Sequence, residues 1–203
     1  MKILVIQTSF IGDVILTLPL IQTVKKYFIN SEIHFVVIPG AKNLLENHPA
    51  ISKITIFDKR RNDSGLLGLL RISNYLREQK YDIALIPHRS LRSALLAKLS
   101  NIPERIGFST SAGKFLLTKI VPYENSFHEA ERNLSLLYVY GYERNEKILP
   151  SLYPSENDRR IVAEFLSPVE KKIIAIAPGS VWNTKKWLKD NFIELAKRIT
   201  EKG

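Results

Sequence analysis

Directly after Met1-Lys2 the chain runs Ile3-Leu4-Val5-Ile6, four apolar residues with no polar interruption. A strand facing water on one side alternates apolar and polar residues. This one does not, so it reads as a strand buried on both faces, the condition of a parallel sheet covered by helices. Such a sheet needs helical crossovers between its strands, and the sequence supplies them in turn. Val14, Ile15, Leu18, Ile21 and Val24 form a helical stripe that Pro19 interrupts. Either that helix kinks at Pro19, or its regular part starts at Thr17 with Pro19 in the first turn. Strands are expected at Glu32–Val37, Lys53–Phe57 and Tyr81–Ile86, and weaker ones at Arg105–Phe108 and Ile120–Tyr123. Helices are expected at Ala41–Asn47, Leu66–Gln79, Ser90–Ser100 and Phe127–Tyr140, the last with Leu134, Leu137 and Tyr138 inward and Gly141 at its end. This alternation predicts an α/β fold with a parallel, doubly wound sheet.

Leu149–Tyr153, with Pro150 and Pro154, reads as a linker. The alternation then restarts with a helix at Glu156–Leu166, an apolar strand at Lys172–Ala177 and an amphipathic helix at Lys189–Lys202. One strand and two helices cannot bury both faces of that strand. The expectation is therefore a domain over residues 1–155 and the incomplete beginning of a second α/β domain over 156–203. The alternative is that the last unit completes the first sheet.

Several function classes drop out. There is no Cys, hence no disulfide framework and no thiolate nucleophile. The four His show no metal-ligand spacing. GxGxxG, the Walker A loop and GxSxG are absent. No apolar run reaches the ~20 residues of a membrane span, and no signal-peptide cleavage pattern follows Met1, so a soluble cytoplasmic chain is expected. The net charge of +10 is unevenly spread: residues 59–119 carry twelve basic and four acidic groups. That stretch points to an anionic partner.

In an open α/β sheet ligands sit at the carboxyl ends of the strands. Two loops stand out there. In Thr8-Ser9-Phe10-Ile11-Gly12-Asp13, Gly12 permits close backbone approach and Asp13 puts a carboxylate at a helix start. That carboxylate is either simply an N-cap, worth ~1 kcal/mol, or a functional group at the ligand end of the sheet. In Pro178-Gly179-Ser180-Val181-Trp182-Asn183-Thr184-Lys185-Lys186-Trp187, backbone N–H groups, hydroxyls and a Lys at a helix start form an anion site, or a capped loop with solvated lysines. Arg60, Arg61, Arg89 and Arg92 are scattered positive charges, and His128 and Arg132 share one helix face.

At these residues the chain resembles the ADP-heptose–lipopolysaccharide heptosyltransferases of glycosyltransferase family 9. The resemblance is carried by Ile3 through Val14 with Thr17-Leu18-Pro19, by His128-Glu129-x-x-Arg132-Asn133, and by Ala177-Pro178-Gly179-Ser180 with Lys185-Lys186-Trp187. It implies a GT-B enzyme of two Rossmann-like domains, the first taking the acceptor and the second the nucleotide-sugar. It implies inversion at the anomeric carbon with neither a metal nor another cofactor. Asp13 falls on the catalytic base. Ser180, Thr184 and Lys185 fall on the donor phosphates, and Ser9, Gly12, Arg60, Arg61, Arg89, His128 and Arg132 on the acceptor side. The implied partners are ADP-heptose, the anionic lipid A–inner core acceptor and, peripherally, the inner face of the inner membrane, with no nucleic acid. The resemblance also implies a longer whole, because the family's later donor motifs have no counterpart here. The rival readings are a non-catalytic anion- or nucleic-acid-binding module and a same-fold transferase using another nucleotide-sugar.

Overall fold

In the computed structural model, which describes residues 1–143, 146–167, 172–181 and 183–201, the opening apolar run becomes β1 (Lys2–Ile6) at the centre of a sheet. Ile3, Leu4, Val5 and Ile6 are all fully buried, as a strand covered on both faces must be. It is followed by β2 (Glu32–Val37), β3 (Lys53–Ile56), β4 (Ile83–Ile86), β5 (Glu104–Phe108) and β6 (Lys119–Val121). Every pairing is parallel and the order is β3-β2-β1-β4-β5-β6. This is the doubly wound order, in which the chain starts in the middle, winds one way and then the other.

The alternation of side chains along β1 feeds two cores. Ile3 and Val5 meet α1 (Ile11–Ile15) and α2 (Leu18–Tyr27) on one face, through Val14, Leu18, Ile21 and Val24. Leu4 and Ile6 meet α3 (Gly65–Glu78) and α4 (Leu91–Leu99) on the other, through Leu69, Leu76, Leu96 and Ala97. Pro19 decides the break between α1 and α2: it occupies the first turn of α2, where its missing N–H costs nothing. Among the described residues no helix is long and apolar enough to cross a membrane.

Three expectations change. Ala41–Asn47 is not an α-helix. A 3₁₀ turn at Pro39–Ala41 is followed by turns in which Leu45 donates to Lys42 and His48 to Leu45. Asn43, Asn47 and Pro49 deny this segment a regular helix. Phe127–Tyr140 divides into α5 (Glu129–Leu134) and a 3₁₀ segment, Ser135–Tyr140. The Ser135 hydroxyl donates back to the Arg132 carbonyl at 2.7 Å, competing with the regular ladder. With three residues per turn, Leu137 stays in line with Leu134, whereas Tyr138 rotates outward to 40% exposure. Gly141 closes the segment at φ +77°, in the left-handed region.

The third change lies in the second compact unit, which begins at Glu156. It contains α6 (Glu156–Leu166), a 3₁₀ turn at Asn183–Lys185 and α7 (Lys189–Glu201). Residues 172–177 form no paired strand, and Ile173, Ile174 and Ile176 are exposed. A strand is held by the backbone hydrogen bonds of a neighbour, and the described residues of this unit supply none. Lys202, the expected end of the last helix, and Trp182 lie outside the described residues.

Candidate functional site

The sheet winds away in both directions from β1 and β4, so the loops leaving their carboxyl ends diverge and open a crevice. After β1, Thr8 is buried. Its hydroxyl lies 3.1 Å from His88 Nδ1 and 3.4 Å from Ser93 Oγ, and His88 Nδ1 lies 2.9 Å from the same Ser93 oxygen. These three side chains lock the β1 loop to the β4 loop. Lys59, arriving after β3, donates to the Thr8 carbonyl at 2.6 Å. Between them lies a cleft of about 550 Å³ whose walls include Thr8, Ser9, Phe10, Gly40, Lys59, Arg60, Arg61 and His88.

The cleft is cationic. Burial above all, with Arg92 and Arg60 beside it, holds the Lys59 ammonium below the usual lysine range. Burial, then the Lys59 charge, pushes the His88 imidazole down to about 4, against the pull of Asp13. His88 is therefore neutral near pH 7, a hydrogen-bonding group rather than a second cation. The loop carrying these cations is pinned from below. Asp63 is buried, accepts the Asp58 N–H at 2.8 Å and pairs with Arg71. Arg92 donates to the Asp63 and Gly65 carbonyls at 2.6 and 2.8 Å.

Asp13 is the third residue of α1 and only partly buried. Phe10, not Asp13, is the N-cap of this helix; Asp13 reaches back from the third position, its Oδ2 accepting the Phe10 N–H at 3.1 Å. Its carboxylate is also close enough to His88 to act on that ring's charge. Next to it, open space surrounds the position a Gly12 side chain would fill. The short helix is held from behind: buried Asn133 Nδ2 donates to the Leu16 carbonyl at 3.0 Å, where α1 ends. Thr17 Oγ1 donates to the Asp13 carbonyl at 2.8 Å.

A second basic cluster stands at the far end of the same edge. Arg89 and Arg132 each lie 4.2 Å from the centre of the Tyr123 ring. Arg89 is exposed. Arg132 is buried and its guanidinium is committed to the protein: to the Glu124 carbonyl at 2.9 Å, the Tyr123 hydroxyl at 2.6 Å, the Phe127 carbonyl at 2.5 Å and the Glu129 carboxylate. His128 is exposed and caps α5, its Nδ1 accepting the Ala130 N–H at 3.4 Å.

Ser9, Arg60 and Arg61 thus share one cleft, with Asp13 nearby, whereas Arg89 and Arg132 form a separate group around Tyr123 and His128 stands at the start of the helix that carries Arg132. Ser180, Thr184 and Lys185 belong to the second unit. There Thr184 and Lys185 lie in the 3₁₀ turn ahead of α7 rather than at its first turn. In the sequence Thr8 is only the first residue of its loop and Lys59 only one charge of the basic stretch, and neither His88 nor Ser93 stands out. The rule that ligands gather at strand carboxyl ends would have found His88, two residues beyond β4. Nothing in the sequence ties Ser93 to Thr8.

Residues 69–203 match the model of glycosyltransferase family 9 (heptosyltransferase). Over its full length the chain is similar to lipopolysaccharide heptosyltransferase 2 of Salmonella typhimurium, at 28% identity, and of Escherichia coli K12, at 26%. It spans 61% of the length of each of these relatives. Among solved structures, all of the chain superposes on 60% of a family 9 glycosyl transferase from Veillonella parvula, with a TM-score of 0.85 and 24% identity. It also superposes on 62% of the E. coli ADP-heptose LPS heptosyltransferase II, with a TM-score of 0.82 and 24% identity. The α/β fold of these GT-B proteins is the fold of this chain.

Proposed function

The chain belongs to glycosyltransferase family 9, and we propose that it forms part of a heptosyltransferase acting in lipopolysaccharide core synthesis. The reaction moves heptose from ADP-heptose to a hydroxyl of the lipid A–inner core acceptor. The observation that carries this reading is a carboxylate, Asp13, standing beside a cationic cleft at the carboxyl end of the central strand.

An acceptor hydroxyl is a poor nucleophile until a base takes its proton in the transition state. Asp13 is that base. As the proton passes to its carboxylate, the hydroxyl oxygen bonds to the anomeric carbon. The bond from that carbon to the ADP diphosphate breaks on the opposite face, so the configuration inverts. The anomeric centre passes through oxocarbenium character, as in glycoside hydrolysis. Ser180, Thr184 and Lys185 receive the charge that builds on the leaving diphosphate, a task for fixed donors and a cation. Neither a metal nor another cofactor takes part.

Lys59, Arg60 and Arg61 face the phosphates and carboxylates of the acceptor, with Ser9 and the open backbone at Gly12 completing that wall. Arg89 and His128 extend the acceptor surface outward. Arg132 serves it indirectly, by holding Tyr123 against Arg89. The enzyme works at the inner face of the inner membrane, where a lipid-borne acceptor is reached without leaving the bilayer.

The decisive experiment uses a chain extended to the length of its relatives. Asp13→Asn keeps a side chain able to accept the Phe10 N–H but removes the base, so kcat should fall by about 100-fold or more with the melting temperature nearly unchanged. Turnover retained in that variant would return Asp13 to the role of bracing its helix start.

A further inference from the structure

We propose that the first two turns of α3 form a docking surface for an anionic phospholipid bilayer. The inference deepens the reading of a lipid-linked acceptor, on which it rests for its purpose.

Leu69 and Leu76 turn inward from α3 and account for its apolar stripe. Leu67 and Leu70 point away from that stripe and Leu66 stands at its flank in the first turn, positions where a water-facing helix carries polar residues. Leu66, Leu67 and Leu70 are 65%, 83% and 37% exposed. Spaced at i, i+1 and i+4, they make one contiguous apolar surface rather than scattered single residues. Arginines stand close to it along the chain, Arg60 and Arg61 in the loop that leads into α3 and Arg71 one helical turn beyond Leu67. Arg60 and Arg61 are exposed, with no ion-pair partner among the described residues, and the side chain of Arg71 is 63% exposed. The nearby acids are already engaged: Asp63 is buried against Arg71, and Asp58 Oδ1 accepts the Arg61 N–H at 3.2 Å.

Exposed leucines with arginines beside them along the chain match a bilayer interface in both respects. Apolar side chains enter the acyl boundary, while guanidinium groups stay at the level of anionic headgroups. A nucleic acid would use the arginines and leave the leucines in water. The topology supplies the orientation. Helices of a parallel doubly wound sheet run antiparallel to its strands, so the start of α3 lies at the carboxyl edge, beside the cleft. Both share the loop Phe57–Arg61, which leads from the cleft wall into α3. Docking through these leucines brings the mouth of the cleft to the headgroup layer, where the sugar of a lipid-anchored acceptor lies.

The test is co-sedimentation of the 203-residue chain with vesicles of phosphatidylcholine alone and of phosphatidylcholine mixed with phosphatidylglycerol. The chain should bind the mixed vesicles and not the neutral ones. The double variant Leu66→Gln/Leu67→Gln should bind about tenfold more weakly or worse, with an unchanged circular dichroism spectrum and melting temperature. Ile29, 76% exposed, follows the carboxyl end of α2 at the opposite edge of the sheet, and Ile29→Gln should bind like the parent. Three results would overturn the proposal: no binding to mixed vesicles, binding that the double variant retains, or an equal loss in Ile29→Gln. A concentration-dependent dimer that the double variant abolishes would also overturn it, by showing that a second copy covers the leucines. None of these readouts involves turnover, so failure here is distinct from failure of Asp13 as the base.

Discussion

Gly68 lies buried on α3, and the substitution Gly68→Ala sets two opposing effects against each other. Alanine is the better helix former, by about 1 kcal/mol in a helix interior. A Cβ at this position, however, would meet the Asp63 carbonyl carbon at 2.2 Å and the Asp63 Cα and O at 2.4 Å. Comfortable contact needs roughly 3.5 Å, so helix and loop must part by about 1 Å. The obstacle is backbone, not the movable end of a side chain. It is also tied down, with Asp63 N donating to Asp58 O at 2.8 Å and Arg92 donating to Asp63 O at 2.6 Å. Overpacking of a rigid site costs about 1–3 kcal/mol, and a backbone clash falls at the upper end. The clash therefore outweighs the propensity gain, and a net loss of about 2 kcal/mol is expected. For a chain of this size that lowers the melting temperature by about 4–8 °C. Urea unfolding followed by far-ultraviolet circular dichroism measures it. A Gly68→Ala protein as stable as the parent, or more so, would show that the Asp58–Asp63 loop yields freely and does not fix the cationic wall of the cleft.

Asn133→Leu removes the donor to the Leu16 carbonyl while keeping the volume; it should cost about 1–3 kcal/mol in urea melts. In the longer enzyme it should lower kcat more than it changes KM, because it loosens the helix that carries Asp13. His88 titrates well below its ordinary value of 6.5, so the unfolded chain takes up the proton first as the pH drops. Stability should therefore be complete above pH 6.5 and be lost as the pH falls through about 4, by about 3 kcal/mol at most from this ring. Melts across that window should flatten in His88→Asn, and an identical pH slope in the variant would refute the assignment. Charge reversal at Arg60 and Arg61 in the longer enzyme should raise the acceptor KM at low salt and leave the donor KM alone; unchanged acceptor kinetics would make these arginines solvated surface.

The parts legible in the sequence are those that one periodicity can carry. Ile3–Ile6 announces a doubly covered strand because burial on both faces leaves no polar position, and Pro19 marks a helix start because only a first turn tolerates its missing N–H. What eluded sequence reading depends on partners distant along the chain. Residues 172–177 have strand composition, yet a strand is a relation between two segments. Ser135 looks like an ordinary helix residue until its hydroxyl bonds back to Arg132 and tightens the following turn. The candidate site divides in the same way. Arg60 and Arg61 are visible as a charge pair. The Thr8–His88–Ser93 lock joins positions about 80 residues apart and carries no local signature. The pattern His128-Glu129-x-x-Arg132-Asn133 stood out as a motif, and its two last members prove to be braces, one for the Tyr123 loop and one for the end of α1.

The central place of β1 also bears on how the chain is made. A strand that needs neighbours on both edges, β1 leaves the ribosome well before one of them exists. Its β2 partner starts at Glu32, but its β4 partners, Ile83–Leu85, are about 80 residues further along. At about 5–20 residues per second, roughly 4–16 s separate the synthesis of the two. Throughout that interval four wholly apolar residues present an open hydrogen-bonding edge to whatever else the nascent chain meets. The arrangement that gives the finished protein its crevice thus exposes the growing one to mispairing, and protection by a chaperone during translation is most needed before residue 86 has emerged.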